Sequence, residues 1–309
     1  MKFKLLTICA LLALQFTTLA AAQTLHNGSK EKPYRVVLVP ADGGTQDGTR
    51  ADFQPLFNAI TRQTGQHFTL TVAQSYAAAT EAMCTGVAEI GWFGAVSYLQ
   101  TRSRGCAELL AVDVLDGESV YYAGIFARKD SSIATLADVK GRSVAFGDVN
   151  STSSFTFPVA MLLDSGIRVP EDLGRVRLAG SHANSLKALE QAQVDAAAAS
   201  FDSFEKAVRQ GALKGGEYRV VARSIPIPNP PLAMHTQLPA AEKARLREAF
   251  NSVHKAPGIS PDMIRGYGGK KVDRYDASYS EKEFTVAIEM MAKVNDALKV
   301  AVLRKAGQK

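Results

Sequence analysis

Short apolar segments alternate with segments of helical character along most of the chain. The first strand-like segment is 34–40 (YRVVLVP), and a helix-like segment at 52–64 and a second strand-like segment at 68–73 follow it. Strands that alternate with helices favour parallel sheets whose two faces are covered. The pattern predicts an α/β fold, and the number of elements fits two lobes, each a sheet covered by helices.

The segment 142–163 (RSVAFGDVNSTSSFTFPVAMLL) runs from a strand through a turn into a hydroxyl cluster and an apolar helix. Ser and Thr are good N-caps, and Pro158 is tolerated in a first helical turn. Ser151, Thr152 and Ser153 would therefore lie beside free backbone N–H groups at the positive end of a helix dipole. Two interpretations stay open, a site for a small oxyanion and an ordinary capped helix.

The N-terminus has the features of a secretory signal peptide. Lys2 and Lys4 precede an apolar stretch at 5–19, and three alanines at 20–22 offer a cleavage site. We expect residues 1–22 to be removed and the mature protein to be a soluble protein of the bacterial periplasm.

Charge and residue spacing argue against several function classes. The formal net charge of +6 is spread along the chain without a basic block, which disfavours nucleic acid as a partner. The five histidines show no paired metal spacing, so we expect no metal and no other cofactor. Ser153, His182 and Asp202 do not follow the hydrolase order, which leaves a secreted hydrolase as a remote alternative and predicts no catalytic residues.

Two cysteines, Cys84 and Cys106, lie beyond the signal peptide. An even number of cysteines in an oxidising compartment favours a disulfide. A thiol pair that binds a soft ion is the alternative that spacing alone leaves open.

Seven segments carry a family resemblance when they are taken together and in this order. They are QSYAAATEAM (74–83), IGWFG (90–94), YYAGIFARKDS (121–131), LADVKGRSVAFGDVNSTSS (136–154), GSHANSLKAL (180–189), VDAAAASFDSFEK (194–206) and SIPIPNPP (224–231). The chain resembles the periplasmic solute-binding proteins of the phosphate/phosphite/phosphonate type, a family that includes arsenic-oxyanion-sensing relatives.

This resemblance implies a two-lobed periplasmic-binding-protein fold of the type II-like class, with the ligand in the interlobe cleft and a monomer as the default state. After a polar lead-in at 23–33, lobe 1 would span 34–120 and lobe 2 would span 121–225. The remainder, 226–309, would return to lobe 1 and end in helices.

The resemblance also implies a set of ligand-binding residues. They are Tyr76, Tyr122, Ser151, Thr152, Ser153, His182 and Asp202. Each has an alternative structural role: the tyrosines as packing residues, His182 as a turn residue and Asp202 as a helix N-cap. Trp92 is interpreted as lobe packing and not as part of the pocket wall.

The implied function is capture of a small inorganic oxyanion by lobe closure and its presentation to a membrane partner. That partner would be the permease of an ABC transporter or, alternatively, a membrane sensor histidine kinase. The crossing segment 224–231 carries Asn229 and no acid, which disfavours aminoalkyl ligands. The sequence does not separate phosphorus oxyanions from arsenite or arsenate.

Overall fold

The computed structural model describes residues 25–42 and 46–308. The signal-peptide prediction for 1–22 lies outside these residues. In the described ranges, no helix combines the length and the apolar character needed to cross a bilayer.

The described part of the chain contains thirteen strands and nine α-helices, joined by turns, loops and short 3₁₀ or π-helical segments. The strands are β1 (Tyr34–Leu38), β2 (Phe68–Val72), β3 (Ile90–Trp92), β4 (Ala107–Val114), β5 (Val120–Tyr121), β6 (Ala123–Arg128), β7 (Val144–Phe146), β8 (Val176–Leu178), β9 (Ala196–Ser200), β10 (Tyr218–Arg223), β11 (Ile227–Pro228), β12 (Leu232–His235) and β13 (Arg274–Asp276). The helices are α1 (Gln46–Thr64), α2 (Tyr76–Cys84), α3 (Ala95–Ser103), α4 (Phe157–Asp164), α5 (His182–Glu190), α6 (Phe201–Arg209), α7 (Ala240–Ser252), α8 (Thr285–Lys293) and α9 (Asp296–Ala306).

The strands form two main sheets, one in each lobe. The first lobe contains a six-stranded sheet in the order β13-β4-β12-β3-β1-β2, and the second a five-stranded sheet in the order β10-β6-β9-β7-β8. Strands such as β1 and β9 are almost wholly buried, as expected for strands covered by helices on both faces. The α/β prediction and the two-lobed architecture are confirmed.

Both sheets are mixed, so the prediction of parallel sheets was wrong in detail. Strand β1 pairs in parallel with β2 and β3, and β7 pairs in parallel with β8 and β9. The other pairings within the two sheets are antiparallel, including β12 with β3 and β4. The chain leaves the first lobe after β4 and returns at β12, and the returning strand enters the sheet in the opposite direction.

Two extended crossings connect the lobes, and they pair with each other through the short strands β5 and β11. Ile227 lies opposite Tyr121 and Pro228 lies opposite Val120. Pro228 has no N–H to donate, and a two-residue edge pairing can accommodate it. This pairing places Tyr121 at the junction of the lobes.

The C-terminal helices span the two lobes. Helix α8 packs on α3 of the first lobe and on α4 of the second, while α9 packs against β8. The Lys293 ammonium contacts the Asp164 carboxylate at 2.8 Å. Helix α1 begins at Gln46, six residues before the helix-like segment recognised in the sequence.

A disulfide joins Cys84, at the end of α2, to Cys106, just before β4. This confirms the structural interpretation of the two cysteines. Because both sulfurs are bonded to each other, neither is a free thiolate that could hold a soft ion.

Candidate ligand-binding site

A small cavity lies between the lobes, close to the carboxyl ends of β1, β3 and β7. Its lining residues are Val39, Ala41, Tyr76, Trp92, Gly94, Tyr121, Ser151, Thr152, Ser153, His182, Pro230 and Tyr267. Its volume is about 10 Å³, enough for about one water-sized group. The lobes therefore enclose less space in this conformation than a tetrahedral oxyanion fills, and binding one would require the lobes to separate slightly or wall side chains to shift.

The hydroxyl cluster forms a buried turn at the edge of this cavity. The Ser151 hydroxyl accepts the Ser154 N–H at 3.2 Å and caps a π-helical turn, Thr152–Thr156, that continues into α4. The Thr152 hydroxyl oxygen accepts the N–H of Val96 from the first lobe at 2.9 Å. The turn is thus held from both lobes.

Four helix N-termini converge on the cavity. Tyr76 is the first residue of α2, Gly94 is the N-cap of α3, His182 is the first residue of α5, and Ser151 caps the turn that leads into α4. A helix N-terminus carries partial positive charge and unpaired N–H groups, and both favour an anion. The four dipoles reinforce one another because they point to the same small volume.

His182 is held in one tautomer. Its Nδ1 accepts the backbone N–H of Ser200 at 2.9 Å, so the proton of the neutral ring resides on Nε2. Nε2 lies 3.4 Å from the Ser151 hydroxyl, at the cavity wall. Burial lowers the pKa of His182 to about 3, so the ring stays neutral at physiological pH and acts as a donor.

Tyr76 and Tyr121 are also neutral donors at the cavity, whereas the Tyr267 hydroxyl is hydrogen-bonded to Ser200 and Ser203. Burial raises the pKa of Tyr76, Tyr121 and Tyr267 above the usual range for a phenol. Among the described residues, no Asp, Glu, Lys or Arg lines the cavity. Its attraction for an anion therefore comes from dipoles and hydrogen-bond donors, without a counter-charge.

The neutral state of His182 predicts an acid sensitivity of folding. The unfolded chain takes up a proton near pH 6.5, whereas the folded chain resists protonation until about pH 3, so stability is lost as pH falls through this window. Between pH 8 and pH 5, we expect the free energy of unfolding of the wild type to fall by about 2 kcal/mol more than that of His182→Gln. Urea unfolding of both proteins at the two pH values measures this difference.

Two buried carboxyls, Asp42 and Asp113, titrate in the opposite sense. Burial raises the pKa of each to about 6, so protonation of these groups favours the folded state as pH falls. Both groups are present in the wild type and in the His182 variant, and their contributions cancel in the comparison. An identical pH dependence of the two proteins would contradict the assignment of a buried neutral His182.

The structure places Tyr122 away from the cavity and Tyr121 at its wall. Tyr122 lies beneath the Arg223 guanidinium, whose central carbon is 3.7 Å from the ring centroid. Successive side chains of an extended segment point to opposite sides, so only one of two adjacent tyrosines can face the cleft. The assignment of Tyr122 is therefore corrected to Tyr121.

Asp202 is also not part of the cavity wall. Its Oδ1 accepts a hydrogen bond from the Lys270 ammonium at 2.8 Å, in an ion pair between the lobes. Ser153, His182 and Asp202 do not form the triad that the remote hydrolase alternative would need, because His182 Nδ1 accepts a backbone N–H.

Several wall residues lie outside the sequence-predicted set. Trp92, interpreted as packing, lines the cavity, and Pro230 and Tyr267 do so as well. The Tyr267 ring stacks at an angle on the Trp92 ring, with centroids 5.2 Å apart. Tyr76, Ser151, Thr152, Ser153 and His182 are brought together.

A wider depression borders the small cavity, between α5, α6 and Asp42. Its volume is about 460 Å³. Asp42, Lys187, Glu190 and Lys206 are among the residues that line it. It carries charges of both signs, and of the four convergent helix N-termini only that of α5 reaches it, through Ala183 and Asn184. The small cavity is the better candidate for the ligand site.

A family model described as "ABC transporter, phosphonate, periplasmic substrate-binding protein" matches residues 41–276. The chain belongs to this family. The match covers all the cavity residues except Val39, so the geometry described above is that of a phosphonate-type binding protein.

Named relatives of this phosphonate-type binding protein agree with the assignment. The chain is 26% identical over 254 residues to the phosphonates-binding periplasmic protein of Escherichia coli, covering 79% of this chain and 74% of that protein. It is 26% identical over 233 residues to the phosphate-import protein PhnD of Mycolicibacterium smegmatis, covering 72% and 73%.

Solved structures share the fold. The binding component of a phosphonate ABC transporter from Pseudomonas aeruginosa superposes with a TM-score of 0.76 at 22% identity, covering 87% of this chain and 89% of that one. PhnD1 of Prochlorococcus marinus in complex with methylphosphonate gives a TM-score of 0.70 at 19% identity, covering 85% and 98%.

Proposed function

We propose that this protein is a periplasmic receptor that captures a small tetrahedral phosphorus oxyanion between its lobes and presents it to an ABC permease. The observation that carries the proposal is the convergence of four helix N-termini on one small cavity without charged side chains. Such a site attracts an anion through fixed dipoles and N–H groups. Relatives named for phosphonate binding and phosphate import support the ligand class and the transport role.

The composition of the wall narrows the proposed ligand. Hydroxyl, phenol and imidazole donors share the cavity with apolar surface from Val39, Trp92 and Pro230. This combination suits an anion that has several oxygens and one non-polar substituent, such as phosphite or methylphosphonate. An aminoalkyl phosphonate would bring an ammonium group to a wall without a carboxylate, and we expect it to bind more weakly.

The proposal extends to the lobes and the partner. We assign residues 34–120 and the returning segment from 226 to the first lobe and residues 121–225 to the second, with the C-terminal helices α8 and α9 packed against the second lobe as well. We further propose that the receptor is monomeric and located in the periplasm. Within residues 25–42 and 46–308 the disulfide leaves no thiolate to coordinate arsenic, so an arsenic ligand would depend on the same donors as phosphate. We therefore favour transport of a phosphorus oxyanion over arsenic sensing through a kinase.

A thermal-shift panel tests the proposal. The mature protein is heated with phosphate, phosphite, methylphosphonate, aminoethylphosphonate, arsenate, arsenite or sulfate. A ligand at 100 times its Kd stabilises the folded state by about 2.7 kcal/mol, and we expect such a shift with phosphite or methylphosphonate. Stabilisation by arsenite alone would favour the arsenic-sensing alternative. An equal shift with sulfate would show that the site does not select phosphorus oxyanions over other tetrahedral oxyanions. No shift with any of the seven compounds would contradict the proposal.

A further inference from the structure

Helix α6 of the second lobe presents a polar stripe to the first lobe. Asp202, Lys206 and Arg209 are spaced four and three residues apart, which places them on one face of the helix. Each of the three contacts a group of the first lobe. None of them lines the small cavity.

Lys206 is the central contact of this stripe. Its side chain is only 9% exposed and lies between two buried carboxylates of the first lobe. It donates to Asp52 Oδ2 and lies 3.6 Å from Asp42 Oδ2. The ammonium that pairs with these two carboxylates therefore comes from the opposite lobe.

In a second ion pair the charges are exchanged between the lobes, with the lysine on the first lobe and the carboxylate on the second. Lys270 of the first lobe donates to Asp202 at 2.8 Å, and the Arg209 guanidinium donates to the carbonyl of Gly268 at 3.2 Å. Ion pairs thus cross the interface with opposite polarity at two positions on the same helix face. Wrong alignments of the lobes would bring like charges together.

Hydrogen bonds connect helix α6 to two residues of the cavity wall, Ala41 and Tyr267. Ser203 donates to Asp42, and the preceding carbonyl, of Ala41, accepts the N–H of His182 at 3.0 Å. Ser200 donates to the Tyr267 hydroxyl at 2.9 Å. Ala41 and Tyr267 both line the cavity, so docking of α6 and closure of the cavity occur together.

We propose that Lys206 is a positioning residue that latches the lobes through Asp42 and Asp52 and so sets the population of the closed conformation. Removing the ammonium leaves two buried carboxylates facing each other, which disfavours only the closed form. The apparent affinity for any ligand of the cavity falls in proportion to the closed fraction. The effect on affinity rests on the proposed oxyanion site, whereas the effect on lobe closure does not.

The test compares Lys206→Met with the wild type. Small-angle X-ray scattering without added oxyanion is expected to give a larger radius of gyration for the variant. Methylphosphonate is expected to bind at least about tenfold more weakly. Lys214→Met, which removes an exposed lysine beyond α6, is the matched control and is expected to change neither quantity.

A rescue variant separates the latch from a merely structural role. Combining Lys206→Met with Asp42→Asn and Asp52→Asn removes all three charges, and replacement of a complete buried ion pair is often neutral. We expect both the radius of gyration and the affinity to return towards wild-type values. Lost packing at Lys206 would not be rescued in this way.

An unchanged radius of gyration in Lys206→Met, or failure of the triple variant to restore it, would overturn the latch. If Lys206→Met does not fold, Lys270→Met breaks the reverse ion pair and is judged by the same two measurements. If the wild type binds none of the oxyanions of the thermal-shift panel, the proposed function fails while the scattering comparison still decides the latch.

Discussion

The double substitution Ser151→Ala with Ser153→Ala is expected to reduce oxyanion affinity by two to four orders of magnitude. Each hydroxyl that donates to a charged ligand contributes about 1.5–3 kcal/mol, because its loss leaves an anion oxygen unsatisfied in a buried site. Both serines are buried at the cavity wall. Isothermal titration with phosphite or methylphosphonate measures the change.

Ser154→Ala provides a matched control in the same turn. The Ser154 hydroxyl is buried, has no hydrogen-bond partner among the described residues and does not line the cavity. We expect this variant to bind like the wild type and to be no less stable, since it removes an unsatisfied polar group. Equal losses in Ser154→Ala and in the double variant would show that the turn matters only for folding.

Removal of the disulfide is expected to produce the second large effect, on stability and not on binding. The bridge closes a sequence separation of 22 residues, and a loop of this length stabilises by about 3 kcal/mol. Neither cysteine lines the cavity. Cys84→Ala with Cys106→Ala should therefore lower the free energy of unfolding in urea by about 3 kcal/mol.

The affinity of this disulfide-free variant for methylphosphonate should remain that of the wild type. Titration at a temperature well below its unfolding transition separates binding from stability. A loss of affinity in the folded variant would contradict a purely structural role for the bridge. Unchanged stability would contradict the loop-closure argument.

The parts of the site that depend on local sequence could be predicted. Ser151, Thr152 and Ser153 lie where a strand ends and a helix begins, and Tyr76 and His182 each follow a capping serine. Caps and strand ends are encoded within a few residues. The α/β class follows from the same local alternation of strands and helices.

The parts that depend on tertiary contacts could not be predicted. The choice between Tyr121 and Tyr122 requires the pairing of β5 with β11, more than 100 residues later in the chain. Asp202 is paired with Lys270, and Tyr267 reaches the cavity from outside the seven segments that carry the resemblance in the sequence. The antiparallel strands likewise result from where the chain crosses between lobes, which local patterns do not specify.

The fluorescence of Trp92 can show whether an oxyanion binds in the cavity between the lobes. It is the only tryptophan in the chain and it lines the cavity, so its emission reports on that site alone. Titration with phosphite or methylphosphonate is expected to give a saturable change in the wild type and in Ser154→Ala, and a strongly weakened one in the Ser151/Ser153 double variant. Two results would contradict binding in this cavity and place the ligand elsewhere. One is oxyanion binding that calorimetry detects without any change in Trp92 emission. The other is a titration midpoint that the double variant leaves unaltered.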